Sequence, residues 1–331
     1  MRKKILSGLL CAAMAASLCA CNKSDQKGDY ALSSSEPVTS AAGESSSEKS
    51  NAAPEGKNIY DLTAYEGEDV FNIEKQELGS AYEGMCDTYE IYYRSDGFDI
   101  KAYICIPSEK ISSQEKCRAM IYCRGGHYNY GALDYEKLSY MCGVTGRIVA
   151  ACEIRGDNGS CGSDQFGGDE MHDVYRLIDL LDKHFSFVDM EDLCVMGVSR
   201  GGMTAYMAAR DDKRIKKIIV CSGISDLLQA YKEREDMQQL LRDCIGGSPE
   251  EKPEEYKKRS ALYWSDEIKI PVLIVHSRKD QKTVYETQAE KIYEKLKNST
   301  DCTIITHDDD YHGIHTEDIP AITEWINKSV S

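Results

Sequence analysis

No C-x-x-C pair occurs in this chain, although 14 cysteines stand among its 331 residues. That absence removes the ligand spacing of the common zinc modules, and no metal site is expected. Positive charge is short as well: 40 Lys and Arg against 56 Asp and Glu give a formal charge of −16. No basic stripe with interleaved aromatics is present. Phosphate backbones demand a basic surface, so a nucleic-acid partner is excluded. There is no internal repeat, and the apolar stretch from Ile5 to Ala20 is too short and too Ala-rich for a membrane span. The composition is ordinary for a globular protein, 41% hydrophobic and 29% charged. The length fits one large α/β domain or two small ones.

The N-terminus is a separate object. Arg2-Lys3-Lys4 followed by the apolar stretch has the form of an export signal over residues 1–20. Its end, Leu18-Cys19-Ala20-Cys21, resembles the bacterial lipobox, whose cysteine becomes the lipidated first residue of the mature protein. Lipidation is expected at Cys21, with an extracytoplasmic location. The lipid anchor is then the only expected contact with the membrane. Residues 21–57 are rich in Ser, Glu, Ala, Gly and Lys and almost free of bulky apolar side chains. Such a stretch cannot bury enough surface to offset its ordering entropy, so a tether is expected there. The folded part is assigned to 58–331. Outside the signal and Cys21 eleven cysteines remain, an odd number that cannot all pair. Cys105, Cys123, Cys152, Cys194 and Cys221 lie in apolar strand-like runs, where a thiol acts as a small hydrophobe.

From about residue 85 strands and helices alternate. Thr88–Tyr93 and Ile100–Ile106 alternate as strands around a hairpin signal, Ser95-Asp96-Gly97. Further strands are expected at 120–123, 147–153, 193–196, 217–221, 271–276 and 302–306. Helices are expected at 169–184, after residue 199, and at 285–296 and 319–328. This order predicts an α/β protein with a mostly parallel, doubly wound sheet. Residues 224–266 interrupt the rhythm with charged, mostly helical sequence, which predicts a helical cap insertion.

The run Val195-Met196-Gly197-Val198-Ser199-Arg200-Gly201-Gly202 carries the chemistry. Apolar residues lead into Gly-x-Ser-x-Gly-Gly and then into a helical pattern. A tight strand-to-helix turn lifts a serine hydroxyl out of the sheet, and glycines flank it because a Cβ would clash. A serine needs a base held by a third group. Downstream, Leu273–His276 runs as a strand into a turn with Asp280, and Ile304–Thr306 runs into a loop with His312-Gly313. Both partners fall at C-terminal strand ends, the edge where Ser199 lies. His276 sits inside a strand and is expected to be packed or backbone-bonded. His307 competes with His312, and His315 is placed at the start of the last helix. Asp308, Asp309 and Asp310 read as a solvated run. An oxyanion needs two fixed N–H donors. One is the amide of Arg200. The other comes from the loop of Gly125, Gly126 and His127, with the donating amide left open. Arg124, Arg155, His127 or the Arg200 guanidinium is placed to meet a substrate carboxylate.

Over residues 85 to 330 the chain resembles the catalytic domain of the prolyl oligopeptidase family of α/β-hydrolases. The resemblance rests on Tyr93–Gly97 with Ile106-Pro107, Tyr122–Gly126, Arg155-Gly156, Gly197–Gly202, Gly223-Ile224-Ser225-Asp226, Pro271–Asp280 and His312-Gly313. It implies the α/β-hydrolase fold, Ser199 as nucleophile, Asp280 as orienting acid, His312 as base, and no cofactor. Three features depart from the family pattern. Many family peptidases carry a large N-terminal β-propeller, whereas fewer than about 90 residues precede the hydrolase region here. Arg124 stands where a histidine or tyrosine is frequent, and Lys282-Thr283-Val284-Tyr285 where Val-Pro is usual. The expected substrate is a small peptide. Carboxylic esters such as acylated saccharides are the alternative, and a non-catalytic binding lipoprotein is the other.

Overall fold

The computed structural model describes residues 58–328. The expected signal, Cys21 and the tether lie outside these residues. Nine strands form one sheet: β1 (Val70–Lys75), β2 (Cys86–Ser95), β3 (Phe98–Pro107), β4 (Cys117–Cys123), β5 (Ile148–Cys152), β6 (Val188–Val198), β7 (Ile215–Cys221), β8 (Val272–Ser277) and β9 (Cys302–His307). Their order is β1-β2-β3-β5-β4-β6-β7-β8-β9. The pairings β1/β2, β2/β3 and β3/β5 are antiparallel. The five from β5/β4 onward are parallel. The β2–β3 hairpin closes on Asp96 and Gly97, with φ of +49° and +82°. A two-residue turn of this kind matches strand twist only when both residues take positive φ.

Period-2 alternation inside near-continuous apolar strands creates two cores. Leu193 and Val195 of β6 face one, while Cys194 and Met196 face the other; Val272 and Ile274 of β8 oppose Leu273 and Val275 in the same way. A short helix α1 (Ser108–Ser113) precedes β4, and α2 (Tyr135–Thr145) follows it. Next come α3 (Met171–His184), with Val174, Leu177, Ile178 and Leu181 buried, and α4 (Arg200–Asp211). Both pack into the first core; α2 and the last helix α9 (Ile319–Asn327) cover the second. The sheet is therefore doubly wound. The chain leaves β4 for β5 through α2 on one face and returns to β6 through α3 on the other. The topology switches at the C-terminal ends of β4 and β6, where ligand crevices form in such sheets.

Between β7 and β8, residues 224–266 hold α5 (Leu227–Glu233), α6 (Gln238–Ile245) and α7 (Pro253–Lys258). Arg234 of this segment donates to the Lys282 carbonyl at 3.1 Å, and Arg259 donates to the Phe166 carbonyl at 3.0 Å. After β8 a π-type turn, Glu286–Glu290, leads into α8 (Lys291–Leu296), where an unbroken helix is expected from the sequence. The eleven cysteines of the described residues are all free thiols.

Candidate active site

Ser199 stands between β6 and α4 with φ +57° and ψ −120°. A non-glycine residue holds such a conformation only where its surroundings over-determine it, at a cost of about 1–3 kcal/mol. Here the surroundings are backbone. The Ser199 N–H donates to the Cys221 carbonyl at 2.9 Å, and its carbonyl accepts from Gly202 and Ile224. A Cβ at Gly197 would run into the Gly201 carbonyl, and one at Gly201 into the Cys123 carbonyl. Both glycines are thus required by close backbone approach. The hydroxyl does not cap the helix it starts.

Asp280 lies in the turn after β8, with its side chain fully shielded, and its Oδ2 meets His312 Nδ1 at 2.7 Å. Oδ1 accepts the N–H groups of Lys282 at 2.8 Å and Thr283 at 3.2 Å; Oδ2 also accepts the Thr283 hydroxyl at 2.9 Å. Burial alone would raise this carboxyl. The hydrogen bond and charge of His312 and the two amides outweigh it, and the pKa is lowered. His276 is buried and bonds the Thr283 carbonyl through Nε2 at 2.7 Å. It is the packed, backbone-bonded histidine expected. His307 and His315 stand apart from Asp280: His307 Nε2 meets Asp318 at 2.9 Å, and His315 Nε2 meets Ser277 Oγ at 3.0 Å.

The three candidate residues are tied together at the end of β7. Cys221 holds the Ser199 amide. Its neighbour Ser222 accepts Gly313 N–H on its hydroxyl at 3.0 Å and the Thr283 hydroxyl on its carbonyl at 3.0 Å. Ser222 is fully buried, with φ +46°. Sequence reasoning passed over it and Thr283. A single serine closing the apolar run Ile218–Cys221 looks like an ordinary turn residue.

The loop after β4, from Gly125 to Gly131, is equally constrained. Gly125 packs against the elbow; a Cβ there would lie 2.9 Å from the Val198 carbonyl oxygen and 3.1 Å from Ser199 Cβ. Gly126 has φ +76°. The His127 N–H already donates to the Tyr130 carbonyl at 3.1 Å. The Arg200 N–H is the first of α4 and has no carbonyl one turn behind it. Tyr128 and Tyr130 project exposed rings beside this loop.

The arginine expectations are corrected. Arg124 is buried, paired with Glu153 at 2.6 Å and Asp157 at 2.7 Å, and donates to the Tyr128 and Tyr130 carbonyls. Its guanidinium braces this loop from behind, and with its side chain only 2% exposed it does not reach a substrate carboxylate. Burial, only partly offset by Arg124, raises the pKa values of Glu153 and Asp157. The Arg200 guanidinium is likewise buried against Asp164 at 2.5 Å and Glu170 at 3.0 Å, over the Phe166 ring. Arg155 holds Asp173 at 2.5 Å and Asp96 at 3.0 Å, pinning the β2–β3 hairpin to α3. None of these charges faces open solvent. His127 remains at the loop, half-buried. Burial first, then the nearby Arg200, lowers its pKa.

Residues 135–328 match the prolyl oligopeptidase family. The uncharacterised peptidase YtmA of Bacillus subtilis is 29% identical over 210 residues, covering 63% of this chain and 79% of that protein. Among solved structures, the acylaminoacyl peptidase of Pyrococcus horikoshii superposes with a TM-score of 0.64 at 20% identity, over 73% of this chain and 41% of its own. This chain thus spans less than half of that peptidase. Acetyl xylan esterase 1 from Thermoanaerobacterium superposes with a TM-score of 0.55 at 19% identity, over 78% of this chain and 88% of its own. Both share the α/β-hydrolase fold. The match and the fold define a serine hydrolase, peptidase or esterase in class. The chain belongs to the prolyl oligopeptidase family.

Proposed function

We propose that this chain hydrolyses acyl bonds of small peptides through Ser199, His312 and Asp280. The supporting observation is the shared anchorage of all three at the end of β7, with Asp280 bonded to His312 at 2.7 Å. Ser199 Oγ attacks the acyl carbon while His312 Nε2 takes its proton. The Asp280 carboxylate accepts the Nδ1–H bond and stabilises the imidazolium that forms. The oxyanion rests on the amides of Arg200 and of Gly125 or Gly126. His312 returns the proton to the leaving amine, and water hydrolyses the acyl-enzyme by the reverse steps. Export and lipidation at Cys21 belong to the same reading, on the strength of the basic start and the Leu18–Cys21 motif.

Ester hydrolysis is the second reading, favoured by the superposition of an acetyl xylan esterase over 78% of this chain and 88% of its own. A fluorophosphonate probe is expected to label the wild type and not Ser199→Ala. Equal labelling of both would sink the catalytic assignment. Aminoacyl anilides and short-chain nitrophenyl esters then separate the substrates, and ester turnover without amide turnover overturns the peptide reading. Mass analysis of the membrane fraction tests the anchor; a soluble product with unmodified Cys21 refutes it.

A further inference from the structure

We propose that His307, Asp309 and His315 form a binding site for a divalent transition-metal ion of the zinc type, on the loop that carries His312. One donor atom from each of the three lies within 4.8 Å of the others. His315 Nε2 and the Asp309 carboxylate are 3.4 Å apart. Two ligands on one tetrahedral zinc, each about 2.0–2.2 Å from the ion, take roughly that separation. The third donor, within 4.8 Å, needs to close by up to about 1.4 Å, within reach of a side-chain rotation on a partly exposed loop. The imidazole rings lie 4.1 Å apart.

The orientation of His307 supports the assignment. Its Nε2 faces both oxygens of the buried Asp318, at 3.0 and 2.9 Å. A carboxylate only accepts, so Nε2 carries a proton, and Nδ1 is the nitrogen a metal would take. Metal-binding imidazoles characteristically donate their far N–H to a carboxylate in this way. Nδ1 lies 3.4 Å from the exposed Glu317 carboxylate. Two imidazoles and one carboxylate suit zinc, cobalt or nickel; calcium and magnesium prefer oxygen alone. The Asp309 side chain is 46% exposed, which gives an ion a way in and leaves room for water as a further ligand.

The site does not share a residue with the proposed triad, so its test is separate from catalysis. The full chain, stripped by a chelator, is titrated with zinc chloride by calorimetry and with cobalt(II) by visible absorption. One equivalent is expected to bind, with a cobalt band typical of tetrahedral coordination. Asp309→Asn keeps the bond to the Tyr311 amide and leaves packing intact; it is expected to weaken binding at least about tenfold, and His307→Gln with His315→Gln to abolish it. Asp318→Asn, which disturbs the support of His307, is expected to cost about 10- to 100-fold. Ser199→Ala is expected to bind as the wild type does. No stoichiometric uptake, or uptake unchanged in Asp309→Asn and in the double histidine variant, overturns the proposal. Loss of binding in His312→Gln with none in His315→Gln also overturns it, by placing the ion at the triad.

Discussion

Replacing Asp280 by asparagine changes one atom and tests the whole arrangement. The side chain cannot turn freely. Oδ1 accepts two backbone amides, those of Lys282 and Thr283, so the asparagine must keep its oxygen there. Its NH₂ then falls at the Oδ2 position, 2.7 Å from His312 Nδ1. An NH₂ group only donates. His312 must accept on Nδ1 and carry its proton on Nε2, the nitrogen that should take the proton of Ser199. The Thr283 hydroxyl, which also donates to the Ser222 carbonyl, turns to accept the second amide hydrogen. The fold is kept while the base is held in the wrong tautomer. In a Ser-His-Asp site this error costs about 10⁴-fold in kcat, about 5 kcal/mol of barrier. Single-turnover acylation by a nitrophenyl ester measures it, with a melting curve to show an intact fold. A rate within about tenfold of the wild type would refute both the tautomer argument and the place of Asp280 in the chemistry.

Three further outcomes follow from the geometry. Gly125→Ala sets a Cβ 2.9 Å from the Val198 carbonyl and 3.1 Å from Ser199 Cβ, so the oxyanion loop must retreat. A fall in kcat of about 10²–10³ with little change in KM is expected, and unchanged kcat would remove this loop from the hole. Arg124→Met leaves Glu153 and Asp157 buried without their cation, at about 3–5 kcal/mol by denaturant unfolding. A raised KM with undiminished stability would instead return Arg124 to substrate binding. Burial, opposed by the Thr283 carbonyl and Asp280, keeps the pKa of His276 low. An unfolded histidine titrates near 6.5, so below about pH 6.5 the unfolded chain binds a proton that the folded chain refuses. Stability should therefore fall between pH 7.5 and 5.5, and fall less in His276→Gln. Equal slopes would show that His276 charges in place.

The elbow was legible because short-range sterics write it into consecutive residues. Gly197 answers to the Gly201 carbonyl four residues on, while Gly201 meets the Cys123 carbonyl of β4; at both, no other residue fits. The pairing of Asp280 with His312 was legible because apolar runs of fixed length carry both to strand ends. The edge strand β1 and helix α2 were not. β1 lies in a charged stretch and pairs on one side only, and α2 mixes glycine and β-branched residues at its C-terminal end. The arginines failed for a different reason. Charge in a sequence implies exposure, and the partners that bury Arg124 and Arg200 lie 29 to 36 residues away. No local pattern announces such a pairing.

Under the proposed function, those misread arginines also account for how the oxyanion donors would be fixed without a ligand present. Arg124 links the Gly125–Gly131 turn to Glu153 and Asp157, on the strand end and loop after β5. Arg200 links the first turn of α4 to Asp164 and Glu170 of the same loop. The two amide sources are thus braced from behind by one irregular segment, residues 153–170. Its conformation is set in turn by positive φ at Gly156, Asn158, Gly159, Gly162, Phe166 and Gly167. Desolvating four carboxylates and two guanidiniums is expensive, and hydrophobic packing of equal volume would often be no less stable. What ion pairs add is direction. In the proposed mechanism they would hold the two backbone donors in place in a low-dielectric site, where preorganised dipoles stabilise developing negative charge most effectively. On the proposed reading, local stability is exchanged for a hole that needs no reorganisation when the oxyanion forms.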